Sequence, residues 1–279
     1  MSRLWRDRLV LAIYPDRVVW LHATGGLHPH VTAKDTVSCA VDKTTSWRGA
    51  LSILPEILRS VQAGGMRVTA MLSNRLLRYA IVPNPDSARS REELDVLTRH
   101  AFERAHGDVV AGWDVRLSDA APGHPALASA VDRELVVTLR DAVATSGARL
   151  ISIQPYLMAA FNHLNRTLRA PNGIFVLAEP ERLSLLAWKQ TGWCGVQQVY
   201  AINDWGSSLP GILDRLTITA GLHDHHSLQL CAPELVDGES GDLVSAGNGW
   251  EIQMATPAWP SGLTPIQDRV FAGAMLVLS

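Results

Sequence analysis

Apolar and polar positions along this chain fall into two series with one scheme. Leu9 to Tyr14 and Val18 to His22 are apolar runs separated by the triplet Pro15-Asp16-Arg17. The second series begins near Val176, 165 positions after Leu11: Val176 to Glu179, Pro180-Glu181-Arg182, then Leu183 to Leu186. Proline holds φ near about −65° at the start of a tight turn and cannot donate to a strand ladder, so each block predicts a β-hairpin that turns at its Pro-acid-Arg triplet. Two such hairpins, each opening a half of similar size, point to two related lobes, with chance similarity as the competing account of so short a match.

After the first hairpin, Thr24 to Leu27 turns the chain and Thr36 to Val41 predicts a third strand. From Trp47 to Val61, Leu51, Leu54, Leu58 and Val61 recur at helical spacing, and Gly64-Gly65 ends that helix. Met66 to Leu72 suits a buried strand after a helical crossover, giving the order β-β-β-α-β; Leu76 to Val82 predicts another strand. Pro83 to Ser90 then punctuates the chain. Ser90 and Glu93 form a capping box that opens a helix to His106, with Leu94, Leu97, Ala101 and Ala105 as its apolar stripe. Trp113 to Leu117 and Ala126 to Val131 predict strands around a Pro/Gly loop, Asp132 caps a helix through Ala144, and Leu150 to Ile153 predicts a strand. Pro155 to Arg169 predicts a helix with proline in its first turn. The second series repeats the outline: hairpin Gly173 to Lys189, strand Gly195 to Tyr200, helix Ser207 to Thr219, strand Ser227 to Cys231. Beyond it, Pro233 to Asn248 reads as a loop or a degraded helix, Trp250 to Ala255 as a strand and Thr264 to Leu278 as a terminal helix.

At 279 residues and 47% hydrophobic, the chain exceeds the length at which a single core stops growing, so two lobes are expected on this ground also. A net charge of −2, from 25 basic and 27 acidic residues, supplies no field that would draw in nucleic acid or an acidic membrane. Cys39, Cys194 and Cys231 are odd in number and widely separated, which argues against a disulfide framework or a zinc site and for a reducing compartment. The N-terminus has no apolar h-region, and no run approaches the roughly 18 to 20 apolar residues of a spanning helix. A cytoplasmic protein without direct membrane insertion is expected.

The hairpin lobe, the Val82-Pro83 junction, the helix Glu92 to His106, Trp113 to Leu117, Ala128 to Val137 and Ser146 to Pro155 resemble, in order and spacing, the PilM-type pilus assembly proteins. The same scheme occurs in MshI and in the cytoplasmic part of the secretion protein GspL. Those proteins are similar to actin and to the sugar-kinase and chaperone ATPases. The resemblance covers most of the chain, is specific in the middle third and is loose after about residue 233. It implies an α/β, actin-like (ribonuclease H-like) two-lobed fold with a small α/β subdomain inserted in the first lobe. Lobe I would be residues 1–154, with the insert at about 83–153, and lobe II residues 155–279. Phe271 to Leu278 looks like that family's closing helix, so the resemblance implies a chain complete without a membrane anchor. It also implies an inner-membrane assembly protein with a short cytoplasmic tail as partner, a secretion or pilus motor ATPase as a further one, and a location at the cytoplasmic face of the inner membrane. The tail would lie in a groove between the insert and lobe I, rimmed by Asn84 to Ser90 and Ser118 to Pro125.

Departures from that family bear on activity. Its superfamily's active members end the first strand of each hairpin in Asp and turn through Gly, so that backbone N–H groups cradle phosphate and carboxylates position magnesium. Here those phosphate-loop positions are degenerate: Tyr14, Pro15 and Asp16 in the first hairpin, Glu179, Pro180 and Glu181 in the second. Gln154 stands where PilM-like proteins tend to carry Asp. The expectation is a scaffold that is not an enzyme and takes no cofactor or metal. The alternative is a nucleotide-binding actin-like ATPase with altered loops, in which Asp16, Glu179 and Glu181 hold a metal nucleotide in an unusual way. Gly247-Asn248-Gly249 would be its adenine-side turn, a weak signal, and no Gly-x-x-x-x-Gly-Lys loop exists in the chain. The cluster His223-Asp224-His225-His226 cannot converge from one regular face and reads as a polar loop; His28 and His30 read as an exposed pair. Ser129, Asp132 and His124 lack a nucleophile elbow, and nine dispersed tryptophans read as packing residues.

Overall fold

The computed structural model describes residues 7–26, 29–42, 44–83, 90–164, 170–200, 205–222, 227–234 and 249–278. In chain order its strands and helices begin with β1 (Arg8–Ile13), β2 (Arg17–Ala23), β3 (Val31–Ser38), α1 (Arg48–Ser60), β4 (Arg67–Leu72) and β5 (Leu77–Val82). Then come α2 (Arg91–His106), β6 (Trp113–Leu117), β7 (Ala126–Asp132), α3 (Arg133–Thr145), β8 (Arg149–Pro155) and α4 (Tyr156–Leu164). The last are β9 (Gly173–Glu179), β10 (Arg182–Lys189), β11 (Gly192–Tyr200), α5 (Trp205–Ala220), β12 (Ser227–Cys231), β13 (Glu251–Met254) and a short helix, Ala272–Met275. By their contacts these divide into two units.

Unit 1 comprises Met1–Leu77, Asp132–His163 and Pro257–Ser279. Its sheet has the order β3-β2-β1-β4-β8. β1 pairs antiparallel with β2 and parallel with β4, and β4 pairs parallel with β8. At the centre, Leu9 to Ile13 are at most 1% exposed, so this strand is a continuous apolar run rather than an alternating one. α1 buries Leu51, Leu54 and Leu58 as the spacing predicts, together with Ala50 and Ile57. α3 buries Leu135, Val136, Leu139 and Val143, and begins where the Asp132 carboxylate accepts the Glu134 N–H at 2.9 Å.

Three expectations are corrected in this unit. The third strand runs over Val31–Ser38 rather than Thr36 to Val41, because β2 offers it a ladder along its whole length and Val31 is tied to the distant Ser261 carbonyl at 2.9 Å. The terminal helix is short. Asp268 folds back on Thr264, accepting its N–H at 2.8 Å, so the chain from 264 to 268 forms a turn before the 3-10 turn Arg269–Phe271 and the helix Ala272–Met275. Finally, residues 257–279, expected in the second lobe, group with unit 1, where Lys34 pairs with Asp268 at 2.6 Å and Arg8 donates to the Leu278 carbonyl at 3.0 Å.

Unit 2 comprises Arg78–Val131 and Leu164–Thr256. Its larger sheet has the order β11-β10-β9-β12-β13, the arrangement of unit 1 again: a hairpin, a third antiparallel strand, then two parallel strands. α5 covers one face, with Leu209, Ile212, Leu213 and Leu216 in one cluster with Ile174, Val176, Leu183 and Leu185. Gly173 leaves room for the Trp188 ring, which any Cβ there would strike. The smaller sheet, β5-β7-β6, packs with α2 around Val82, Phe102, Val110, Ala128 and Ala130. The capping box forms: Ser90 Oγ accepts the Glu93 N–H at 3.2 Å. The buried line of α2, however, is Thr98 and Phe102 with Leu94 half-buried, while Leu97 is 38% exposed and Ala105 is exposed. The large Phe102 ring, set against Trp113, decides which face turns inward.

Candidate functional site

In an open sheet, crossover connections leave the carboxyl ends of parallel strands as the natural ligand edge. Unit 1 gathers three such ends, since Ile13 pairs with Leu72 and Leu72 with Pro155. Tyr14, Ser73 and Tyr156 follow directly. The Ser73 N–H donates to the Ile13 carbonyl at 3.0 Å, and the buried Asn74 side chain accepts the Leu157 N–H at 3.0 Å, which locks the three ends together.

The first hairpin tip sits at this edge, and its chemistry is already committed. Tyr14 is buried, with the Tyr156 ring edge-on at 6.5 Å and the Arg17 guanidinium 4.1 Å over its face. The Pro15 carbonyl accepts the Cys39 thiol at 3.6 Å, and the Asp16 carbonyl accepts the Cys39 N–H at 2.8 Å. Burial, then the nearby Asp16 charge, pushes the Cys39 thiol pKa up. The Asp16 carboxylate lies 3.2 Å from one guanidinium nitrogen of Arg17 and 3.5 Å from one of Arg75. A group positioned to hold magnesium would need those oxygens for the ion; here two cations take them. Gly273, from the terminal stretch, closes the other side: a Cβ on it would meet the Tyr14 hydroxyl at 2.5 Å and Tyr156 Cζ at 3.2 Å. Gln154 lies one residue before this edge, half-buried on β8 beside Met71.

Unit 2 carries the second tip. Pro180 followed by Glu181 at φ +63° is the pairing a type II turn requires, with a non-glycine residue in the left-handed position. Glu179 is buried at 6% exposure, while Pro180 and Glu181 are exposed. The acids expected to act together thus differ in setting: Glu179 enclosed, Glu181 on the surface, Asp16 held by arginines.

Other candidates resolve more simply. The His223 to His226 cluster, His28, Gly247 and Asn248 lie outside the described residues, as do positions 84–89 of the first groove rim. His30 pairs with Ser261 at 2.9 Å, and His124 with the Pro122 carbonyl at 3.2 Å. Asp132 is used as a cap and accepts Trp47 Nε1–H at 2.9 Å. Among the described residues no three His, Cys, Asp or Glu side chains are grouped to hold a metal, and no helix is long and apolar enough to cross a membrane. What sequence reasoning did not single out is a cavity of about 480 Å³ between α2 and β6, lined by Arg91, Asp95, Val96, Arg99, Val115 and Leu117 among others. The signal the sequence offered for it was Val96, an apolar residue off the predicted stripe of α2.

Two sheets of one order, each a hairpin, a third antiparallel strand and two parallel strands, together with a small three-stranded sheet, are the elements of the actin-like class of α/β proteins. No family model and no curated protein matches the chain. Among solved structures it is similar to the cytoplasmic domain of EpsL, an inner membrane component of the type II secretion system of Vibrio cholerae. The identity is 18%, the TM-score 0.59, and 98% of this chain and 94% of that one are covered. It is likewise similar to a chain of the PilM-PilN type IV pilus biogenesis complex, at 14% identity and TM-score 0.65, covering 99% and 97% of the two chains. A third, from Bacteroides thetaiotaomicron, is a protein with an actin-like ATPase fold and unknown function, at 10% identity and TM-score 0.59 over 98% of each chain. The chain has the actin-like fold of the PilM and EpsL type.

Proposed function

We propose that the chain is a non-catalytic actin-like scaffold in the cytoplasmic part of a type IV pilus or type II secretion-like assembly, where it binds the short cytoplasmic tail of an inner-membrane protein. The observation that carries this is the first hairpin tip. Tyr14 and Pro15 fill the place where backbone N–H groups would approach a phosphate, and Asp16 is neutralised by Arg17 and Arg75. The neighbours whose fold it shares support the setting: one is an inner membrane secretion component's cytoplasmic domain, the other a pilus protein in complex with PilN. The location at the inner-membrane face and a motor ATPase as second partner belong to the same proposal.

Two measurements test it. Isothermal titration of the full chain with Mg-ATP is expected to show no binding, and micromolar affinity would establish the alternative, an ATPase with altered loops. A pull-down from detergent-solubilised inner membranes of its own cells is expected to recover a one-span membrane protein. Exposed apolar positions of the small subdomain, Val96 at 68% and Val109 at 57% exposure, are the natural contacts. Val96→Asp with Val109→Asp should lose that partner at an unchanged Tm. Retention there, with loss caused by changes within residues 173–278, would place the binding face in the second half.

A further inference from the structure

The helix dipole does not account for the order of charges along α2. A dipole favours acids in the first turn and bases in the last, and Glu92, Glu93 and Arg104 follow that rule, but Arg91 opens the helix and Glu103 stands among its last four residues. Arg91, Asp95, Arg99 and Glu103 are four residues apart, so they form one ridge, basic, acidic, basic, acidic, with a rise of about 6 Å per step. All four line one wall of the cavity between α2 and β6, and Val115, Arg116 and Leu117 line the other. The spacing would let neighbours on the ridge pair with each other, yet among the described residues none of the four makes an ion pair; Arg99 donates instead to the Val110 carbonyl at 3.4 Å. Arg116, on the facing wall, is taken by Asp114 at 3.1 Å.

We infer that this ridge is a self-association surface, on which α2 of a second copy packs antiparallel across a two-fold axis midway between Asp95 and Arg99. Charge order selects that occupant. In the antiparallel arrangement Arg91 meets Glu103 of the second copy and Asp95 meets its Arg99; symmetry repeats each contact, so all four charges of both copies face the opposite sign. A parallel two-fold pairing would set every charge against its like, and a partner of one sign would be repelled at two of the four positions. Ridges of this four-residue spacing are those by which helices most often pack, crossing at about −50°, and at that angle the two rows run side by side. Val115 and Leu117 on the facing wall give the aliphatic stems of the second copy's arginines apolar surface to cover. Helices crossing at that angle touch over few turns, so the interface stays below about 1,200 Å² and the dimer is weak, reversible and salt-sensitive. The inference is independent of the scaffold proposal, since it needs no membrane partner.

Sedimentation velocity on the full chain at low salt, from low to high micromolar concentration, should show a reversible monomer–dimer shift that recedes in about 0.5 M salt. Arg91→Glu and Glu103→Arg are the decisive pair. Each alone sets like charges together at two symmetric contacts and should raise the apparent dissociation constant about tenfold. Mixed in equal amounts, the two variants oppose unlike charges at every position, so a heterodimer of wild-type affinity should form. Both changes suit the helix dipole and should leave the Tm unchanged. A folding defect would not be cured by mixing, so restoration decides even where a Tm moves. A chain that stays monomeric throughout overturns the inference. So does a dimer that both variants keep, or a mixture that restores nothing. Hydrogen exchange that places the added protection outside α2 and β6 overturns it too, as does protection of α2 that requires a different protein.

Discussion

His163, near the end of α4, shows how one side chain sets a pH response. Burial lowers its pKa below the ordinary imidazole value of 6.5, opposed by a hydrogen bond to the Leu276 carbonyl. The folded state therefore resists protonation that the unfolded chain accepts. Stability from this group is complete above about pH 6.5 and is lost as the pH falls through the lower folded-state value. The Tm should drop between pH 7.5 and 5, and His163→Gln should flatten that slope in a scanning-calorimetry series. Asp268 acts in a separate window. Burial would raise its pKa, but the Lys34 ammonium and Thr264 outweigh that and hold it below 3.8, so its contribution is lost only in stronger acid. Cys231 makes a second test. Burial pushes its thiol up to about 12, so almost no thiolate exists at pH 8. Native protein treated with iodoacetamide should leave Cys231 unmodified by peptide mass spectrometry until denaturant is added; labelling as fast as that of the half-buried Cys39 would contradict the burial.

At the scale of elements, Asp132 joins two helices that local sequence treats separately. One oxygen caps α3 through the Glu134 N–H, and the other accepts Trp47 Nε1–H at the start of α1, both at 2.9 Å. Asp132→Ala removes the cap and leaves the indole N–H of the buried Trp47 without its acceptor, so a loss of about 2–4 kcal/mol is expected in urea unfolding. Arg48→Ala, which breaks the exposed contact to Glu134 and removes the guanidinium 5.7 Å from the Trp47 ring centre, should cost less than about 1 kcal/mol. Similar costs for the two would show that the Asp132 junction does not couple the helices.

At the scale of the whole molecule, the first hairpin tip can be tested as a phosphate loop. Tyr14→Asp with Pro15→Gly installs the Asp and Gly that the resemblance to actin-like ATPases calls for, but it removes a fully buried aromatic from beneath Gly273 and beside Tyr156. A loss of about 3–5 kcal/mol and no gain in Mg-ATP affinity are expected, because Arg17 and Arg75 still take the neighbouring carboxylate. Titration and chemical denaturation of the same sample separate the two effects. Micromolar binding by this variant would show that the two loop residues alone abolish nucleotide affinity.

Local chemistry by itself determined the two hairpins, the caps at Ser90 and Asp132, the buried stripe of α1 and the order of strands, because proline, capping side chains and apolar period act over a few residues. The absence of glycine at Tyr14, Pro15 and Asp16 was equally legible. Tertiary structure decided what those residues do instead. Arg75, 59 positions beyond Asp16, reaches its carboxylate only because β1 and β4 are neighbours in the sheet. α2 turns Phe102 rather than Leu97 inward because the small sheet offers a site for one large ring. The terminal stretch forgoes a long helix to pin β3 and close over Tyr14, since contacts more than 200 positions apart outweigh its helical period.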